Sequence, residues 1–278
     1  MTVGMRPPAA PVARRAWRHG HWEPGVRAVA EETAVALTYN RATFAVMMAT
    51  PADLEDFAIG FSLAEGVVDR ADEIEELEAV PGGDGVELRM WIGAARFDAL
   101  GERRRALAGP TGCGLCGLDS LKAALRPLPR VASALTITPA EVQAAIASLL
   151  PAQTLGRATR AVHAAGFWRP GQGLVALRED VGRHTALDKL AGALARTGKT
   201  ADGVVVMTSR VSVELVQKAA RMGAAVLVAV SAPTGLALRT AEAAGITLAC
   251  VARDDGFELF THPARIGGST QEPARDAA

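Results

Sequence analysis

Short apolar runs alternate with helical stripes through the second half of the chain. Residues 174–177, 203–208, 225–230 and 246–251 are near-continuous apolar runs bounded by turn residues, the pattern of strands buried on both faces. Between them, residues 184–195, 213–222 and 236–244 repeat their apolar positions at helical spacing. Strand and helix in turn predict a three-layer α/β domain over residues 118–266. A further helix is expected from 139 to 150, behind Thr138 as N-cap, and a short one near 119–125.

The first half reads differently. Residues 33–39 and 42–48 predict a hairpin about Asn40-Arg41. Pro51-Ala52-Asp53 opens a helix whose apolar positions are Leu54, Phe57, Ala58, Phe61 and Leu63, closed by Gly66. Strands at 74–80 and 86–92 flank the turn residues 81–85. Hairpins around one helix predict a small α+β domain over 26–108, so the fold class is α/β within an α+β whole. Residues 1–25 are rich in Pro, Ala and Arg without periodicity and are expected to be a disordered tail, as are residues 267–278.

In an open sheet of this kind, ligands sit beyond the carboxyl ends of the strands. Ser209-Arg210, residues 231–234 and residues 253–256 fall there. Composition narrows the ligand. Thirty basic residues balance thirty acidic ones, so the broad positive field needed for non-specific nucleic-acid binding is missing, while a local phosphate site is allowed. Aromatics are 4% of the 278 residues, which leaves Ala, Val and Leu to fill the core. The longest apolar stretch, 224–230, is far short of the roughly 20 residues a bilayer span requires. Arg14-Arg15 is followed by Ala-Trp-Arg-His-Gly-His, which is no apolar export segment, and a cytoplasmic location is expected. Three cysteines there are not a disulfide framework.

Two of those cysteines carry the candidate chemistry. Cys113 and Cys116 form a CxxC bordered by Gly109, Gly112, Gly114 and Gly117, a loop at 109–117. A structural zinc site needs four ligands and this pair supplies two; Cys250 sits in a predicted core strand. A thioredoxin-like dithiol would follow a strand, whereas Arg103-Arg104-Arg105 precedes this one. A thiolate that accepts and passes on sulfur needs mobility and nearby positive charge, and glycines, arginines and a following helix start supply both. A tight structural turn with incidental cysteines is the remaining alternative.

The segment Glu102-Arg-Arg-Arg-Ala-Leu-Ala-Gly-Pro-Thr-Gly-Cys-Gly-Leu-Cys-Gly117 resembles the cysteine loop of the FdhD family. So does Glu179-Asp-Val-Gly-Arg-His-Thr-Ala-Leu-Asp-Lys-Leu190, with further matches at 47–51, 57–66, 209–218 and 261–263. The resemblance implies a sulfurtransferase that takes sulfur from a cysteine desulfurase as a persulfide on Cys113. It would pass the sulfur to the bis-molybdopterin guanine dinucleotide form of the molybdenum cofactor, bound as a substrate, for formate dehydrogenase. Cys116 would be a secondary thiol. The resemblance also implies a cytidine deaminase-like α/β domain and a homodimer, with no permanent cofactor or metal. The deaminase zinc signature does not accompany that fold: His163 is followed by Ala164-Ala165, not by the HxE pattern.

By position in the family, the cofactor would lie on Ala252, Arg253, Asp254, Asp255, Gly256 and Phe257. Arg253 and the Gly256 amide attract phosphate and the two aspartates repel it; the same residues also read as a hairpin turn. His184, behind Gly182 at a helix start, and Arg210, after a strand end, complete the candidates. A capping role for His184 and an ion pair of Arg210 with Glu214 are their structural alternatives. A non-catalytic chaperone that escorts the cofactor would use the same loops without the cysteines, and a zinc-stapled interaction module would require bound metal.

Overall fold

The computed structural model describes residues 5–83, 85–107, 128–198 and 202–267, without the side chains of 102–107. Cys113 and Cys116, the glycine loop at 109–117, the helix expected near 119–125 and the tail beyond Gly267 lie outside the described residues.

The first sheet was not expected. β1 (Ala9–Arg18) and β2 (His21–Ala30) form an antiparallel ribbon joined by His19-Gly20. The expectation of a disordered tail over 1–25 is therefore corrected. An alternation with period two is present, but small Ala and Pro residues on one face and arginines on the other mask it.

A four-stranded sheet follows, in the order β4-β3-β6-β5, built from β3 (Thr33–Tyr39), β4 (Ala42–Ala49), β5 (Ile74–Gly82) and β6 (Gly85–Ile92). Asn40 and Arg41 both have positive φ, the backbone of a two-residue hairpin turn. The Asn40 side chain also exchanges two 2.9 Å hydrogen bonds with the backbone of Ile92, which fixes the neighbouring β6. Leu37, Tyr39, Leu88 and Met90 face α1 (Leu54–Ala64), whose Phe57 and Phe61 close this core. α2 (Ala94–Leu107) ends the unit.

The second unit is a six-stranded sheet in the order β12-β11-β10-β9-β7-β8. Its strands are β7 (His163–Arg169), β8 (Gly173–Asp180), β9 (Val204–Met207), β10 (Val226–Ala229), β11 (Thr247–Arg253) and β12 (Gly256–Thr261). β9, β10 and β11 are parallel, and β7 and β12 run antiparallel to them. Side chains of β9–β11 alternate between two cores. Val205, Met207, Leu227, Ala229 and Leu248 pack under α6 (Arg183–Thr197), α7 (Val213–Arg221) and α8 (Gly235–Ala244). Val204, Val206, Val226, Val228 and Ala249 pack on α3 (Pro139–Ala147) and α4 (Leu149–Ala152). α3 starts with a reciprocal Thr138/Glu141 capping box. Helices thus cover both faces of a sheet, as the continuous apolar runs require.

The units meet where α1 crosses α6. A Cβ on Gly60 would fall 1.7 Å from the Asp188 carbonyl oxygen, and one on Gly192 would fall 1.9 Å from that of Asp56. Only glycine allows these backbones to touch. Asp56 then receives Arg178 at 2.7 Å and Arg196 at 3.1 Å, so charge reinforces the crossing.

Candidate functional site

The carboxyl edge of the large sheet collects the chemistry of the described residues. β8 runs into α6, β9 into α7 and β10 into α8, so these three helices begin on one edge. Each leaves backbone N–H groups pointing outward with a positive dipole end, a setting that favours anions. Thr234 satisfies one such group on α8 by accepting from the Ala237 amide at 3.3 Å. Ser212 starts α7 without a side-chain cap, and Gly182 starts α6.

The string 179–190 now resolves into separate tasks. Glu179 accepts the amides of Leu155 and Gly156 at 2.8 and 2.7 Å and caps α5 (Thr154–Thr159). Asp180 accepts the amides of Gly182 at 2.7 Å and Thr50 at 2.9 Å and pairs with Lys189 at 2.6 Å, both side chains fully buried. Burial pushes the Asp180 carboxyl up and the Lys189 ammonium down, while their mutual attraction opposes both shifts. Three donors on its oxygens stabilise the carboxylate form of Asp180 against that burial. Asp188 turns the other way and takes Lys218 at 2.6 Å; burial raises its carboxyl to about 6. Asp188 and Lys189 are interior struts, not ligand contacts.

His184, by contrast, lies on the edge. Its Nε2 is 3.3 Å from Ser212 Oγ and 2.9 Å from Glu214 Oε2, bridging the starts of α6 and α7. Burial holds the imidazole below its ordinary value; Glu214 opposes this, and Arg183 and Lys218 add to it. Glu214 is thus engaged by His184 rather than by Arg210, which stands exposed after β9.

Ala252 is buried at the end of β11, and Arg253 pairs in register with Gly256 across the Asp254-Asp255 turn. The hairpin reading of this loop therefore holds. Arg253 Nη1 donates to the carbonyls of Val230 and, at 2.9 Å, Ala252, so its guanidinium ties β11 back to the end of β10. Phe257 packs against the core under α3. Val251 sits in a register shift with φ +53°, a strained state for a β-branched residue and one that often marks a site.

The candidates His184, Arg210 and 252–257 thus share one edge, spread from β8 to β11, four strand spacings or roughly 19 Å. Two residues outside the named candidates join them. Arg183, at the first turn of α6, has a buried Nε with no hydrogen-bond partner among the described residues. His163 begins β7 opposite Asp180, and burial, helped by Arg183, lowers its pKa against the pull of Asp180. The sequence signal was slight: a single histidine ahead of two alanines. Cys250 is buried, with a thiol raised to about 12 by burial, and is inert as a nucleophile.

A groove among the described residues lies away from this edge. It measures about 790 Å³ and runs along the later turns of α1, α6 and α7. Pro129 lines it with Lys218 and Arg221.

A model of the FdhD/NarQ family matches residues 30–267. A protein of Agrobacterium fabrum named Sulfur carrier protein FdhD is 52% identical over 257 residues, 92% of this chain and 95% of its own. A protein of the same name from Brucella abortus is 54% identical over 253 residues, 90% of this chain and 94% of its own. The crystal structure of a candidate formate dehydrogenase accessory protein from Desulfotalea psychrophila superposes with a TM-score of 0.76 at 27% identity, over 94% of this chain and all of that one.

Proposed function

This chain belongs to the FdhD/NarQ family, and on that premise we propose that it is a cytoplasmic, homodimeric sulfur carrier for the maturation of formate dehydrogenase. The donor is a cysteine desulfurase. The Cys113 thiolate attacks the outer sulfur of the donor's persulfide, forms Cys113–S–S⁻ and releases the donor's cysteine thiolate. Attack by the Cys116 thiolate on the inner sulfur closes a disulfide and frees the outer one as hydrosulfide. The acceptor is the molybdenum cofactor in its bis-molybdopterin guanine dinucleotide form, held as a substrate on the carboxyl edge of the large sheet. A cytidine deaminase-like layout of the second unit belongs to the same reading.

The observation that carries the proposal is the joint start of α6, α7 and α8 beside the Arg183 Nε, unpartnered among the described residues, and the exposed Arg210. Backbone amides and guanidinium groups at such an edge suit the diphosphates of a guanine dinucleotide. A row of roughly 19 Å suits a long ligand better than a compact one. Asp254 and Asp255 stay on the solvent side of their hairpin, so their charge meets water more than phosphate.

Mass spectrometry after incubation with a desulfurase and L-cysteine tests the carrier role. The peptide bearing Cys113 gains one sulfur, and Cys113→Ala abolishes the gain while leaving cofactor binding intact. A non-catalytic escort would bind the cofactor and activate the dehydrogenase equally well with Cys113→Ala, and that result would overturn the carrier reading.

A further inference from the structure

The ribbon of β1 and β2 precedes the region matched by the family model, and the site above makes no use of it. Its register sorts the side chains cleanly. Ala9, Pro11, Ala13, Arg15 and Trp17 share one face with Ala30, Ala28, Val26, Pro24 and Trp22. That face is apolar but for Arg15, and Arg15 lies over the Trp22 ring at 5.5 Å. It is also bare. Trp17 is 59% exposed, Trp22 56% and Val26 66%, with Pro11, Ala13 and Pro24 exposed beside them. The two indoles contact each other at 5.4 Å, which leaves their outer surfaces open.

A two-stranded ribbon alone in water is marginal, and a continuous apolar face on it calls for a cover. We propose that the cover is the same ribbon of a second copy, packed face to face about a two-fold axis with the two arms antiparallel. The shape of the face argues for this occupant. Its bulk is at the tip, in Trp17 and Trp22, and its small residues are at the base, in Ala9, Pro11, Ala28 and Ala30. Antiparallel stacking sets each pair of indoles over the partner's small residues, large against small, as packed layers require. Ten-residue strands give an arm of roughly 33 Å, long enough for tip and base to overlap. The open apolar surface is about 500 Å² per arm, so two arms bury about 1,000 Å², the size at which a specific interface begins. A net charge of zero means the copies do not repel. At its base the arm is fixed to its own chain by Arg27 Nη2 donating to the Thr159 carbonyl at 2.8 Å, so it projects as a defined element.

This inference rests on the dimer within the proposed function and assigns its interface. Sedimentation velocity at tens of micromolar is expected to show a dimer for the native chain. The double variant W17S/W22S is expected to sediment as a monomer with unchanged circular dichroism. Val12→Thr with Val29→Thr, on the opposite face of the ribbon, should leave the dimer intact. Because loss of two tryptophans can disturb the arm itself, a second measurement uses Ala13→Cys in a chain with Cys113→Ser and Cys116→Ser. Ala13 lies near the middle of the arm, where the two-fold axis passes, and mild oxidation should cross-link the copies. A monomeric native chain overturns both the dimer and the arm. A dimer that survives W17S/W22S, or that fails to cross-link through position 13, overturns the arm alone. Sulfur loading of Cys113, measured separately, is untouched by either result.

Discussion

Lys189→Met removes the cation from a pair in which neither partner is exposed. Lys189 Nζ lies 2.6 Å from Asp180 Oδ2 and also donates to the Thr50 carbonyl at 2.9 Å, so one side chain joins the two units. Methionine fills much of the same space but leaves Asp180 as a buried anion. Breaking a buried pair in this way costs about 3–5 kcal/mol, a large share of the roughly 5–15 kcal/mol that holds a domain. The sign with pH follows. Burial raises the Asp180 carboxyl and only Lys189 and the local donors hold it down; without Lys189 it rises further. Falling pH then favours its protonation in the variant and relieves the buried charge, so the loss is greatest at neutral pH and shrinks on acidification. Urea unfolding with linear extrapolation measures both values. Adding Asp180→Asn to Lys189→Met should recover part of the loss, because no buried charge is then left over. A loss below about 1 kcal/mol at neutral pH, or one that grows on acidification, would refute the reasoning.

Other outcomes follow from the same structure. Gly192→Ala sets a methyl group 1.9 Å from the Asp56 carbonyl; the helices must part, and urea unfolding should show a loss of about 1–3 kcal/mol. Asp188, raised to about 6, makes the folded state bind more protons than the unfolded one between about pH 4 and 6. Stability should therefore fall as pH rises through that window, and Asp188→Asn should remove this slope from the urea midpoints. Arg183→Gln should weaken calorimetric binding of guanosine diphosphate, a fragment of the proposed substrate, about 10-fold, as loss of one charged hydrogen bond predicts; equal affinity would remove Arg183 from the site. Cys250→Ala should leave sulfur loading unchanged and cost about 1 kcal/mol or more in stability, since its thiol is packed in the core.

The strands β9, β10 and β11 were legible because both of their faces are buried, so each is an unbroken apolar run. β7 and β12 escaped the reading. β7 begins His163-Ala164-Ala165-Gly166, too small in side chains to register, and β12 alternates as an edge strand. The ribbon at 9–30 was hidden by alanine and proline, whose small apolar surface gives little periodic signal even in perfect register. At the candidate site, sequence placed the named residues at the carboxyl ends of the strands, and the structure brings them to one edge, since strand ends in such sheets follow from topology. What it could not assign was direction: Asp188 and Lys189 are neighbours in the string, yet they point into different ion pairs on different sides of α6. His163 and Arg183 gain their place only through the pairing of β7 with β8 and β9, a contact between residues distant in the chain.

The central claim is that sulfur passes through Cys113 to the cofactor. The direct test loads the protein with isotopically labelled sulfur from a desulfurase, removes the donor, and then adds the molybdenum cofactor. The account predicts that label leaves the Cys113 peptide and appears on the cofactor, and that a Cys113→Ala chain carries none to give. Label that stays on the protein, or a cofactor that gains it equally from the Cys113→Ala chain, would contradict it.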